Sequence, residues 1–298
     1  MCRIDYKTQS RANVSVTDLE PIFSYVHLIQ QFSVQSSCLE RGFWQILITV
    51  DSGLLMEHGV DLNQGKETPA SAGHILQWSQ WQLLDSILPT GGFAHSFGLE
   101  AAVQAYMVSK PEDLKTYVIH VLENTGSLLL PFVYAASKCP NMDTYTRLDK
   151  ILDATLTNEV SKKASISQGS ALLRIAAAVF VELPSLKKMR DTLLGSGTVS
   201  FHHAPVFGLI CGLLGFDSET SQRAYMFITM RDTISAATRL NLVGPLGASV
   251  LQHQIAHIAE ELLSKWMNRA VEEACQTAPL LDTVQGCHGY LFSRLFSS

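Results

Sequence analysis

The chain has 298 residues, 47% of them hydrophobic and 16% charged, with a formal net charge of −5. That balance excludes a disordered polyampholyte and is ample for a buried core, while the scattered Lys and Arg argue against nucleic acid as a partner. The longest apolar stretch, Ala204–Phe216, is short for a bilayer and reads as a buried helix, so no membrane partner is expected.

Residues 1–70 differ from the remainder. They mix short apolar pieces such as Ile46–Val50 with Ser, Gln, Asn and Gly, without a sustained helical period. They read as an N-terminal extension, disordered or dispensable. Gln64–Gly73 has the composition of a flexible linker, and the ordered domain is expected to span 71–298, starting near His74.

From His74 onward the pattern is helical. Trp78, Trp81, Leu84 and Leu88 form an apolar helical run that stops at Pro89. Ser79-x-x-Gln82 and Ser109-x-x-Glu112 fit capping boxes, the second with Pro111 tolerated in the first turn. The helix after Ser109 places Leu114, Val118, Val121 and Leu122 on one face, and Pro131 should kink or restart it. Leu148, Ile151, Leu152 and Leu156 give another stripe. Ala171–Val181 is apolar almost all round and is expected deep in the core, whereas Leu193–Ser200 reads as a loop.

Three helices close the domain. The first carries Gly208, Gly212 and Gly215 for close helix contact. Asp217-Ser218 caps the second, which ends near Asn241 with Phe227, Met230, Ile234 and Ala237 inward. The third, Leu246–Cys275, is expected to run roughly 45 Å at about 1.5 Å per residue, with Leu251, Ile255, Ile258, Leu262 and Trp266 facing the core. No strand-like alternation competes, so the fold class is all-α: one multi-helix, bundle-like domain with a flexible N-terminal extension.

Candidate chemistry is sparse. No G-x-x-x-x-G-K-[ST] phosphate loop and no G-x-S-x-G elbow occurs. His253, His257 and Glu260 share one face of the last long helix, a partial metal site or a solvated polar face, the latter favoured. His202-His203 read as capping or packing residues, and Cys287-His288 as a soft-metal pair with too few ligands. The six cysteines form no C-x-x-C pair and predict reduced thiols. Arg223, Arg231 and Arg239 recur every eight residues near Asp232, as surface ion pairs or as a docking face in which Phe227 lies one turn from Arg223. The closing segment, Gly289–Phe296, places large apolar residues beside the chain end. It either folds back or docks into another protein, and the second is preferred. Its removal is expected to cost little fold stability.

The stretch LDSILPTGGFAHSFGLEAAV resembles the signature of the UreF family of urease accessory proteins. The likeness continues through NEVSKKASISQGSALLRIA, FHHAPVFGLICGLLG, ISAATRLNLVGPLGA and the closing SRLFSS, in order from about Ile75 to Ser298. Phe97 and Phe227 stand where relatives carry glycine and tyrosine. The resemblance implies a non-enzymatic, homodimeric, cytoplasmic maturation factor. Such proteins bridge a UreD/UreH-type scaffold and the UreG-type GTPase to deliver nickel to apo-urease, with possible modulation of that GTPase. It implies no stably bound cofactor, nickel being cargo, and neither catalytic nor metal-ligating residues of its own. By the same resemblance Arg223, Phe227 and Arg239 match a surface for self-association and GTPase recruitment. Tyr290, Arg294, Leu295 and Phe296 match a tail ordered against the scaffold. Pro89, Thr90, Gly91, Gly92, Phe93, His95, Ser96 and Glu100 match the signature loop, whose role stays open between turn and interface. The rival readings are a direct nickel carrier and a metal-dependent enzyme using His253 and His257.

Overall fold

The computed structural model describes residues 69–298, and the expected extension over 1–70 lies almost wholly outside them. Among the described residues every regular element is helical. The first helix, α1 (Pro69–Leu84), begins ahead of His74 and takes in the second half of the expected linker. It is amphipathic in the sense opposite to the expected one: Ser79 and Leu83 face inward, while Trp78 and Trp81 are 76% and 69% exposed. Ser79 is therefore a mid-helix residue bonded to Glu182, not a cap.

After the signature loop come α2 (Leu99–Gln104) and α3 (Pro111–Asn124). Pro111 opens α3 as expected, but Asp113, not Glu112, reaches back to accept the Ser109 and Lys110 N–H groups at 3.1 and 3.0 Å. The helix does not stop at Asn124. A five-residue π-helical turn, Thr125–Leu129, joins it to α4 (Leu130–Lys138), and the Ser127 carbonyl, four residues before Pro131, accepts the Cys275 N–H at 3.1 Å in place of the N–H that proline lacks. The combined run Pro111–Lys138 is long and apolar enough to cross a membrane by length and composition, contrary to expectation; 61% of its apolar window is buried inside the domain, as in a core helix.

Local polar groups start the next helices. Asn141 accepts the Thr144 N–H at the head of α5 (Met142–Thr155), and Asn158 caps α6 (Glu159–Val179). Leu148 and Leu152 are buried, as their spacing predicts. The apolar end of α6 is only half in the core: Leu172, Leu173, Ala176 and Phe180 are buried, Val179 and Val181 exposed. The first half of the segment read as a loop from Leu193 is helix, since α7 (Pro184–Ser196) continues to a left-handed Gly197.

The centre of the domain is α8 (His203–Leu213), packed against α4 and α6. A Cβ at Gly208 would lie 2.5 Å from the Val133 carbonyl, and one at Gly212 2.5 Å from that of Ser137, so both glycines let two helix backbones meet. Next to it α9 (Ser218–Arg239) starts at the expected Asp217 cap and is buried over most of its circumference. Its one exposed stripe includes Arg223, Phe227, Ser235 and Arg239. Phe227 thus leaves the inward line assigned to it, and Tyr225 and Met226 take its place in the core.

The longest expected helix is shortened. Helix α10 runs from Pro245 to Trp266, because Gln222 of α9 accepts the Asn268 N–H at 2.9 Å and Asn268 turns left-handed. Its core face is Leu251, Ile255, Leu263 and Trp266; Ile258 and Leu262 are only partly covered. A 3₁₀ turn at Val271–Glu273, α11 (Pro279–Cys287) and a second 3₁₀ turn at His288–Tyr290 lead into the tail.

Candidate functional site

The signature loop is bent by three residues with left-handed backbone, Gly91, Phe97 and Gly98, at φ +82°, +55° and +81°. Between them a 3₁₀ turn, Gly92–Ala94, carries Phe93 outward, and His95 and Ser96 turn into the interior. Gly92 lies so close to α9 that a Cβ would meet Asp232 Oδ2 at 2.5 Å. The Tyr117 hydroxyl donates to the Phe97 carbonyl at 2.8 Å and fixes the second bend to α3.

This loop holds the tail. Glu100, 3% exposed on α2, accepts the backbone N–H groups of Leu295 (2.6 Å, Oε1) and Phe296 (3.1 Å, Oε2). Its Oε2 also lies 3.1 Å from His288 Nε2. Both the N–H and the hydroxyl of Ser96 donate to the Ser298 carbonyl, at 2.7 and 2.9 Å, and Ser297 donates to the Ala94 carbonyl. His95 Nδ1 is 2.7 Å from the Ser298 hydroxyl. Phe296 is buried beneath the Arg239 guanidinium, whereas Tyr290, Phe292, Arg294 and Leu295 face outward. The tail therefore folds back on its own domain while leaving Tyr290, Arg294 and Leu295 exposed. Removing Gly289–Ser298 would take the Leu295 and Phe296 N–H groups from Glu100 and leave it His288.

Behind the loop lies a partly open cavity of about 110 Å³, lined among others by His95, Gln168, His203, Tyr225, Asp232 and Ser298. Burial, reinforced by the neighbouring His288, pushes the His95 imidazole down to about 4. Burial, then His95 itself, does the same to His203, whose Nδ1 lies 3.3 Å from the Tyr225 hydroxyl. Both rings are neutral at pH 7 and offer one donor and one acceptor each. Burial holds Asp232 above the usual carboxylate range, opposed by Arg231 and Arg239. Arg231 binds it through Nε at 2.9 Å and donates to the Leu84 carbonyl at the end of α1. The sequence places Asp232 on the surface and does not show that His203 and Tyr225 line the same cavity as His95, because residues a hundred or more positions apart share no local pattern.

The remaining candidates are dispersed. Arg223 is gripped by Glu260 through two bonds, 3.1 and 2.7 Å, and by Glu219 at 2.9 Å, so α9 and α10 are bolted together beside the exposed Phe227. Those bonds hold its guanidinium above the usual range, against a smaller opposing effect of burial. His253 and His257 lie exposed on α10, and the third member of their face, Glu260, is the one engaged by Arg223. Cys287 is exposed while its neighbour His288 is buried against Glu100, so the two side chains diverge. His202 is a packing residue, as expected: fully buried, with ring nitrogens 3.1 Å from Asp153 and Ser165. Cys139, Cys211, Cys275 and Cys287 are free thiols, Cys211 in the core. Among the described residues no group of three or more His, Cys, Asp or Glu is disposed to hold a metal ion.

Comparison with known proteins decides the family. The UreF family model matches residues 108–256, from just ahead of α3 into α10. Urease accessory protein F of Arabidopsis thaliana is 72% identical over 227 residues, which span 76% of this chain and 95% of that protein. The chain belongs to the UreF family. Urease accessory protein F of Oryza sativa subsp. japonica is 69% identical over 234 residues, 78% of this chain and 90% of that protein. The more distant urease accessory protein UreF of Trichodesmium erythraeum is 26% identical over 226 residues, 74% of this chain and 97% of its own. Membership of UreF places the protein in urease maturation, in an accessory role that involves other maturation components.

Proposed function

We propose that this UreF protein is a non-catalytic adaptor that holds a UreD/UreH-type scaffold and a UreG-type GTPase together while nickel is delivered to apo-urease. Two exposed faces support the reading. Tyr290, Phe292 and Leu295 stand outward on a tail that is itself anchored, and an anchored aromatic row loses little conformational freedom on binding. On the other face Phe227, 40% exposed beside the Arg223–Glu260 bolt, is suited to self-association or GTPase recruitment, with Arg239 at the far end of the same stripe. Aligning three proteins is a positioning task that needs surfaces and no catalytic group.

In this reading the protein is a cytoplasmic homodimer, nickel passes as cargo without a stably held cofactor, and contact with the GTPase modulates its hydrolysis. Residues 1–70 are dispensable to the interactions. The observation that carries the proposal is the outward aromatic row on the tail of a UreF chain. The test is co-purification with the scaffold and the GTPase, comparing the intact protein with a Tyr290→Ala/Phe292→Ala/Leu295→Ala variant, followed by metal analysis. A complex lost in the variant, with nickel accompanying the GTPase, is expected. No complex, with metal retained by this chain and lost on replacing His253 and His257, would establish the carrier or enzyme reading instead.

A further inference from the structure

We propose that Glu100 is the positioning residue for the tail: the signature loop is the receptor of the chain's own residues 288–298, and the Glu100 carboxylate is its clasp. What the displayed face meets rests on the adaptor reading; the clasp itself does not.

Three donors converge on this one carboxylate, the Leu295 and Phe296 amides and His288 Nε2. Two of the three are backbone groups, so the clasp reads the path of the chain and not its side chains. Holding two successive amides on one carboxylate bends the chain at this point, with Phe296 inward and Leu295 outward at 60% exposure. The bonds beyond it, Ser297 to Ala94 and Ser96 to Ser298, hold the same path. His288 closes the near end of the segment, so Tyr290 and Phe292, at 91% and 106% exposure, lie in the arc between two fixed points. Because Glu100 is buried, water offers it no substitute for these partners, and charge-assisted bonds to a desolvated carboxylate are the strong kind. The clasp is thus reciprocal: the tail needs the charge for its path, and the charge needs the tail for its solvation.

Glu100→Gln keeps the shape, removes the charge and turns one acceptor into a donor facing an N–H. Hydrogen exchange of the full chain should then show the Leu295 and Phe296 amides exchanging roughly tenfold faster or more, with α8 amides unchanged. Glu100→Asp, which restores the charge on a shorter arm, should recover part of the protection; a purely steric role for the side chain predicts no such recovery. Should Glu100→Gln fail to fold, Ser297→Pro, which deletes the N–H bonded to Ala94, tests the same path from the tail side and should also release Phe296. Unchanged protection at residues 295 and 296 in a folded Glu100→Gln protein, or tail amides unprotected in the natural chain, would overturn the proposal. Scaffold capture is read separately. Failure of the natural chain to capture the scaffold counts against the adaptor reading and leaves the exchange result standing. Equal capture by the natural chain and a clasp-released variant overturns the positioning role.

Discussion

Arg239 lies over the ring of Phe296, its guanidinium carbon 4.3 Å from the ring centroid, and 5.9 Å from that of Phe93. One side chain at the end of α9 thereby touches both the tail and the signature loop. Partial burial draws its guanidinium below the usual range while the nearby Asp232 opposes that shift. The interaction is worth about 0.5–1 kcal/mol when partly exposed, against about 3–5 kcal/mol for truncating a buried phenylalanine. Arg239→Ala should therefore lower the urea midpoint slightly and Phe296→Ala strongly. Equal losses would mean that the stacking, not the burial, anchors the tail.

The pH dependence of stability has a definite sign. His95 and His203 bind protons less readily folded, near 4, than at their ordinary 6.5, so between those values the unfolded chain binds more protons. Their contribution is complete above pH 6.5 and is lost as pH falls towards 4, up to ~3 kcal/mol for each ring. Asp232, raised above 3.8, acts in the opposite sense at the acid end of that range. Urea midpoints at pH 7.5 and 5.0 should differ, and His203→Gln should flatten the difference. A His203→Gln protein with the full pH slope would remove this ring from the explanation.

The two adjacent glycines of the loop should respond to alanine for different reasons. At Gly91 the space is open but the backbone is left-handed, a cost of roughly 1–2 kcal/mol. At Gly92 a Cβ would press on Asp232, which Arg231 holds in place, an overpacking cost of about 1–3 kcal/mol. Asp232→Ala opens that space, so Gly92→Ala should be less harmful in its presence, whereas Gly91→Ala should not change. A double-mutant cycle on thermal unfolding reads the difference.

Phe227→Ala and Arg223→Ala remove exposed groups, and each should change stability by about 1 kcal/mol or less. Together they should weaken self-association or GTPase recruitment with helicity intact. Sedimentation and pull-down unchanged by the pair would clear α9 of that role.

What was legible in the sequence was what is local. Asp217 at the head of α9 and Pro111 at the head of α3 act within one helical turn, and their positions were readable. The end of α10 was not, because it depends on Gln222 reaching Asn268 across 46 residues. Trp78 and Trp81 misled for a related reason. Helical periodicity shows that a face is apolar but not which neighbour covers it, and Ser79, bonded to Glu182, is what points inward. The family's signature was visible as a motif, yet its partnership with the tail was not. The bond from Leu295 to Glu100 spans 195 positions, and the N–H groups that make it have no sequence signature.

The π-helical turn between α3 and α4 adds one residue to an otherwise continuous rod. One residue is ~100° of rotation in an α-helix, so the insertion swings the stripe of α3, which ends at Leu122, out of phase with the Val133 and Ser137 carbonyls that meet Gly208 and Gly212. The rod behaves as a crankshaft: α3 sets its apolar side against α9 and α10, while α4 is turned to pack against α8 as well as α9. Deleting one residue from Thr125–Leu129 would leave a more regular helix whose second half addresses the wrong neighbour.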